Sequence, residues 1–170
     1  MLLALTGTPG TGKSTVAALL GGLGYPICDL NRLAQERGAL KAYDERRETW
    51  AVDVNKLARA LPPDRPLVLV GHFSHLLAVD LAIVLRCHPE TLRERLEARG
   101  WKQTKVQENV EAEALGVIAQ EASAEVETIE IDATTASPDG IAREVADLLE
   151  GGSREPYRHI DWSEVILEWY

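Results

Sequence analysis

The chain has 170 residues, 45% of them hydrophobic, with a formal net charge of -9 and a pI near 5.0. That length supports one well-buried core and so one domain over residues 1–170, while the acidic balance argues against strong direct nucleic-acid binding, since phosphate backbones are repelled unless a local basic patch intervenes. No apolar run nears the roughly 20 residues of a membrane span, and "MLLALTG" is too short and lacks the basic flank of a signal peptide.

In chain order, the first apolar run is "LLALT" (2–6), a strand candidate, followed at once by "GTPGTGKST" (7–15). Gly7, Gly12, Lys13 and Ser14 meet the pattern G-x-x-x-x-G-K-[ST]. Its chemistry is demanding: backbone N–H groups must converge on phosphate oxygens, so Gly7, Gly10 and Gly12 supply backbone angles other residues resist. Lys13 is expected to reach the β/γ-phosphates of a nucleoside triphosphate, and the Ser14 hydroxyl to complete a Mg²⁺ shell, with Thr15 beside it in the nucleotide-binding turn. The helix beginning at about Lys13 points its N-terminus at the anion. A second strand is expected over 25–28 and a helix from about Leu30. Next comes a charged segment read as a short helix-loop-helix, with Asp29, Arg32, Asp44, Glu45, Arg46 and Arg47. Here Arg32 and Arg46 can clamp an acceptor phosphate, while the carboxylates bind a base or ribose or hold Mg²⁺ through water. An exposed, salt-bridged surface is the alternative. A helix from about Asp53 leads to the strand "LVLV" (67–70), which ends next to His72 and His75. His72 is read as touching phosphate or positioning water, or as a structural histidine; His75 as structural or solvated.

The strand "LAIVLR" (81–86) is followed by a helix from Pro89 and then "EARGWKQTK" (97–105), where Arg99, Lys102 and Lys105 form a basic tip able to close over a triphosphate. From about Lys102, Val106, Val110, Ala114 and Ile118 form one continuous apolar stripe opposite a run of glutamates. A fifth strand, 126–131, precedes a helix capped by Ser137, with Pro138 first and Ile141, Val145, Leu148 and Leu149 buried. "EGGSREP" (150–156) reads as a connector, and "DWSEVILEWY" as a terminal helix, about 161–169, that docks on the body or binds a partner. Strands alternating with helices predict an α/β fold, a five-stranded parallel sheet flanked by helices. Charge is uneven along it: residues 1–104 carry 14 Lys and Arg against 11 Asp and Glu, and residues 105–150 carry 2 against 12. The first part favours anions; the second is an acidic face that confers solubility or suits a basic protein partner. Cys28 and Cys87, at the ends of apolar runs, read as buried hydrophobes in a reducing, cytoplasmic setting.

Together "LTGTPGTGKST", "YDERRET" with the following "VDV" (52–54), "VLR…LRERLEARGW" (84–101) and "QENVEAEAL" resemble the adenylate kinase isoenzyme 6 family, its archaeal branch in particular, over residues 1 to about 150. The resemblance implies an adenylate-kinase-like P-loop fold with a short lid, phosphoryl transfer between ATP and a nucleoside monophosphate, ATPase activity, and a role in late maturation of the small ribosomal subunit and its rRNA through a basic ribosomal protein. It implies a monophosphate-binding region at about 30–53, a lid at about 99–109 with Arg99 meeting ATP, and the 133–137 loop near the adenine. One departure stands out. The family carries an acid two residues before a histidine at the end of the third strand; here Val70 stands in that place and His72 is kept. Either Asp29 or Asp44 takes the acid's role, or metal-assisted hydrolysis is weakened. The leading expectation is a kinase with AMP as acceptor, Lys13 and Arg99 neutralising charge. An ATP-dependent assembly factor with little kinase activity is the second, and a shikimate- or gluconate-type kinase the third, disfavoured by "YDERRET".

Overall fold

The computed structural model describes residues 1–44, 49–154 and 159–169. In chain order these form β1 (Leu2–Thr6), α1 (Lys13–Gly22), β2 (Ile27–Asp29), α2 (Leu30–Glu36), β3 (Leu40–Asp44), β4 (Thr49–Val52), α3 (Val54–Ala60), β5 (Leu67–Val70), a 3₁₀ turn (Ser74–Leu76), β6 (Leu81–Arg86), α4 (Pro89–Ala98), α5 (Gln103–Ala114), α6 (Val117–Glu125), β7 (Thr128–Asp132), α7 (Pro138–Leu149) and α8 (Ser163–Glu168). Among the described residues, β2, β5, β1, β6 and β7 lie side by side in that order as one parallel sheet. The five strands are those expected from the apolar runs. Every residue of β1, β5 and β6 is buried, which is why they read as unbroken apolar runs without alternation.

One sheet face packs on α1 and α7, through Val16, Ala17, Leu20, Ile141, Val145 and Leu148. The other packs on α2 and α3, through Leu30, Leu33, Ala34 and Leu57, and on α6 through Ala119 and Ala122. The α7 sequence explains its own start. Ser137 Oγ accepts from the Gly140 amide at 3.1 Å and Pro138 occupies the first turn, where its missing N–H costs nothing. Burying each large apolar side chain of that helix contributes about 1.5–3 kcal/mol. Both cysteines are buried and unbridged.

Two expectations are corrected. The charged segment after β2 is not a simple helix-loop-helix: β3 and β4 form an antiparallel hairpin between α2 and α3, pairing Leu40 with Val52 and Tyr43 with Trp50. Its aromatic pair, ring centroids 5.2 Å apart, holds it together across the strands. The stripe from Val106 is also not continuous. Helix α5 ends at Ala114, and Gly116, at φ +63°, turns the chain before α6 begins. A β-carbon there would also come to 3.4 Å from the Arg86 guanidinium. Helices α4 and α5 pack through Leu92, Leu96, Val106 and Val110, with Trp101 and Trp169, the residue that follows α8, against them. Val165 of α8 is buried as well, so this short helix docks on the body.

Candidate active site

Parallel sheets bind ligands at the carboxyl ends of their strands, and the loop leaving β1 lies there between β5 and β6. All three expected glycines have positive φ: Gly7 at 135°, Gly10 at 96° and Gly12 at 104°. Two of them are also forced by contact. A β-carbon at Gly7 would meet the Leu85 carbonyl oxygen at 2.5 Å, and one at Gly10 would meet Leu92 Cδ1 at 2.8 Å and Leu96 Cδ2 at 2.9 Å. The loop is thus wedged against β6 on one side and α4 on the other. Helix α1 starts at Lys13, so the first amides of a ten-residue helix face the loop's concavity without intrahelical acceptors.

A cleft of about 640 Å³ opens over this loop. Its phosphate wall is Gly10, Gly12, Lys13 and Ser14; Asp29, Val70 and His72 stand at the strand ends, and Arg99 reaches in from the end of α4. These were expected from sequence, and the fold brings them together. Others lie elsewhere. Thr15 is exposed on α1, outside the cleft lining. Arg32 borders a neighbouring cleft of about 400 Å³, whose wall it shares with Asp29, and its guanidinium pairs with Glu36 at 3.7 Å. Asp44 ends β3 with its side chain undescribed, and Glu45 and Arg46 fall outside the described residues.

Lys13 Nζ donates to the carbonyls of Gly7 at 2.7 Å and Thr8 at 2.9 Å, tying its own loop together. Burial pushes its ammonium down to about 8; Glu113 acts in the opposite direction and Arg99 adds a smaller downward push. Incoming phosphates are the natural charge partners for both cations. Burial, then the nearby Lys13, also lowers His72, whose ring meets Phe73 edge-on at 5.1 Å, so it faces the cleft as a neutral imidazole at pH 7. His75 is structural: buried, with Nδ1 3.1 Å from Thr6 Oγ1 and Nε2 3.3 Å from Glu121.

The segment expected as a lid opens with a tight turn. After α4, Gly100 at φ +74° sends its amide to the Glu97 carbonyl at 2.8 Å, and the Trp101 amide goes to Leu96 at 3.3 Å. This is a Schellman closure, and it leaves Arg99 and Trp101 on the cleft rim and runs straight into α5. Lys105 on α5 also lines the cleft, 2.9 Å from Glu108. The far wall is Asn109, Ala112, Val117 and Ile118, from α5 and α6.

Sequence reading missed a buried ionic network behind the loop. Arg86, 1% exposed, ends β6 and donates Nε to Glu113 Oε1 at 2.8 Å. Its other nitrogens reach the carboxylate of Glu130, the Ile160 carbonyl and the Glu113 carbonyl. Glu113, 2% exposed, accepts in addition from the Cys87 amide at 3.0 Å and from Thr8 Oγ1 at 2.5 Å. One carboxylate thus fastens the phosphate loop, β6 and α5 together. Its signal was present: an arginine closing an apolar strand needs a buried acid, and Glu113 sits seven residues after Val106 and three after Val110, on the buried stripe.

Among the described residues no cluster of three or more His, Cys, Asp or Glu is arranged to hold a metal. The donors present suit a hard cation carried in by phosphates: a hydroxyl at Ser14 and a carboxylate at Asp29 on the same cleft wall.

Relatives match this chain over nearly its whole length. Residues 3–116 match the family model described as AAA domain. A "Putative adenylate kinase" of Pyrococcus abyssi is 44% identical over 173 residues, covering 99% of this chain and 94% of the relative. One from Archaeoglobus fulgidus is 44% identical over 167 residues, covering 95% and 92%. The chain belongs to this adenylate kinase family. Its fold is shared more widely: shikimate kinase from Acinetobacter baumannii superposes with a TM-score of 0.61 at 15% identity, over 88% of this chain and 93% of that one. The expected P-loop kinase fold is therefore established, with its archaeal relatives. No helix among the described residues is long and apolar enough to cross a membrane.

Proposed function

We propose that the protein is an adenylate kinase, a nucleoside monophosphate kinase that moves the γ-phosphoryl group of ATP onto AMP. The observation that carries this reading is the size and lining of the one cleft over the phosphate loop. At about 640 Å³ it exceeds what a phosphate cradle needs, and opposite the cradle it has a wall of Asn109, Ala112, Val117 and Ile118. Mixed polar and apolar lining of that kind suits a second small molecule held beside the first.

Transfer of this sort asks for positioning and charge neutralisation, with no covalent intermediate. The α1 amides and the loop glycines hold the donor phosphates, Lys13 and Arg99 offset the charge that spreads over the transferred group, and the turn at Gly100 carries Arg99 over the cleft. Ser14 would hold Mg²⁺, which would supply positive charge to the donor phosphates. His72, neutral and at the cleft floor, is able to accept or donate a hydrogen bond to phosphate or water. Asp29 and Asn31 orient the acceptor, with Arg32 next to them. The assay is ADP formation from ATP plus AMP, abolished in Lys13→Ala. ATP hydrolysis at an unchanged rate with and without AMP would contradict the kinase reading.

A second reading rests on a separate observation. Glu108, Glu111, Glu121, Glu125 and Glu127 are exposed on or next to α5 and α6, one flank of the cleft. A surface of that sign attracts a basic partner. The protein would then also hydrolyse ATP and act in small-subunit ribosome maturation and rRNA processing, through a basic ribosomal protein. A pull-down against small-subunit proteins at moderate salt, with and without ATP, tests it; the absence of any nucleotide-sensitive partner refutes it.

A further inference from the structure

We infer that the C-terminal segment 159–169 belongs to the nucleotide site: it positions the phosphate loop for ATP through Arg86 and Glu113. This rests on the reading of the cleft as an ATP site. The segment reaches the loop along a line of polar contacts. At its near end, the Ile160 carbonyl accepts from Arg86 Nη1 at 3.0 Å, and the Ile160 amide donates to Glu130 at 3.3 Å. Glu130 accepts from the same Arg86 nitrogen and lies 2.6 Å from His159 Nδ1. The other side of the guanidinium belongs to Glu113, whose side chain takes Nε at 2.8 Å and whose carbonyl takes Nη2 at 3.0 Å. A planar fork gripped on both sides has one orientation left to it.

That orientation decides what Glu113 offers the loop. Its Oε1 is occupied by Arg86 and the Cys87 amide, which leaves Oε2 for Thr8 Oγ1. Thr8 is the hub of the loop, its carbonyl accepting from Lys13 Nζ and from Thr11 Oγ1, each at 2.9 Å. Four contacts therefore lead from Ile160 through Arg86, Glu113 and Thr8 to the lysine that meets the phosphates. The three residues between are buried, where hydrogen bonds hold their geometry against competition from water. The segment is seated by packing. Val165 of α8 is buried, Trp169 lies against Leu92, Leu96, Val106 and Val110, and the Trp162 ring meets that of His88, the cap of α4, at 5.1 Å. Among the described residues, the apolar clusters on the two faces of the central sheet include none from 159–169. The segment is thus outside the main core yet joined to the phosphate loop, so it acts as a positioning element for ATP.

A purely stabilising segment is the competing role, and substitutions in the full chain separate the two. Val165→Asp places a charge beneath α8 and unseats the segment, while Leu167→Asp puts the same charge at an exposed position of the same helix. ATP affinity by calorimetry and the KM values for ATP and AMP are measured at a temperature where circular dichroism shows each variant folded. Val165→Asp should weaken ATP binding about 2–30-fold, the range for coupling through a packed network. Its KM for ATP should rise with KM for AMP unchanged, and Leu167→Asp should match the wild type. Thr8→Val breaks the link between Glu113 and the loop and should weaken ATP binding to a similar degree. In Thr8→Val/Val165→Asp the two losses should not multiply, because the segment then has no route to the loop. Wild-type ATP affinity in a Val165→Asp that melts lower assigns the segment to stability alone and overturns the inference. Losses that multiply in the double variant overturn it, as does an equal loss in Leu167→Asp. If Val165→Asp does not fold, Val165→Ala is read against the same outcomes. Wild type that binds ATP and phosphorylates AMP, beside an unaffected Val165→Asp, leaves the kinase reading standing and removes only the segment's role. Wild type that binds no ATP removes both.

Discussion

Glu113→Ala should be far more damaging than its place in a glutamate-rich helix suggests. The carboxylate is buried and takes three donors: Arg86 Nε at 2.8 Å, the Cys87 amide at 3.0 Å and Thr8 Oγ1 at 2.5 Å. Removing one partner of a buried ion pair costs about 3–5 kcal/mol, because the other charge is left uncompensated. Arg86 keeps Glu130 and the Ile160 carbonyl, which places its share at the low end. The orphaned Cys87 amide adds about 1 kcal/mol at the low end of its range, so about 4 kcal/mol is expected in all. For a chain of this size each kcal/mol moves the melting temperature by about 2–4 °C, which gives a drop of about 8–16 °C. Urea unfolding read by linear extrapolation measures the same quantity independently. Glu113→Gln, which keeps the shape and one acceptor oxygen, should lose about half as much. In a double-mutant cycle with Arg86→Met, the combined loss should fall short of the sum by about 2 kcal/mol or more. Loss of less than about 1 kcal/mol in Glu113→Ala would refute the view that this residue ties loop, strand and α5 together.

Other consequences follow from single contacts. Gly10→Ala must hold φ near 96° and press on Leu92 and Leu96 at under 3 Å; a backbone cost of about 1–3 kcal/mol should appear as a lower melting temperature and weaker ATP binding, and unchanged values would refute the wedged loop. Lys13 sits at about 8 in the nucleotide-free protein, below its ordinary 10.5, so phosphates that raise it again must make ATP binding take up protons at about pH 8–10. Calorimetry in buffers of differing ionisation enthalpy should show this uptake, with affinity falling as pH rises through that window; an apparent enthalpy independent of buffer would contradict it. The same lowering means that burial of Lys13 opposes folding once the unfolded chain is protonated, so its stability penalty grows as pH falls from 10.5 towards 8. Ser137→Ala removes the cap on Gly140 and should cost about 1 kcal/mol with ATP affinity unchanged.

Much of the fold is legible in the sequence because local and global signals agree. Fully buried strands make unbroken apolar runs, Pro89 and Pro138 open helices, and the phosphate loop announces itself by glycines whose positive φ no other residue adopts cheaply. The β3–β4 hairpin escaped because "LKAYDERRETWAV" has its apolar residues at the two ends of a charged centre and an exposed aromatic pair, with no strict alternation to mark strands. The break after Ala114 escaped because Gly116 lies inside a helical apolar period, and a lone glycine there reads equally as tolerated. At the site, Lys13, Ser14 and Arg99 were found by residue type and spacing. Glu113 was overlooked since charge counting treats every carboxylate as solvated, and only the tertiary placement of Arg86 makes it a buried partner. That Asp29 lies opposite Val70 across the β2–β5 ladder is a fact of strand register, and register between non-consecutive strands has no trace in a linear chain.

The central claim is that one cleft holds a phosphoryl donor and a nucleoside monophosphate acceptor together. Its most direct test is product analysis of the purified protein given ATP, Mg²⁺ and AMP, each omitted in turn. The account predicts two ADP formed for each AMP consumed, no comparable product without AMP, and loss of both in Lys13→Ala. Phosphate release from ATP that ignores AMP, with AMP recovered intact, would contradict it.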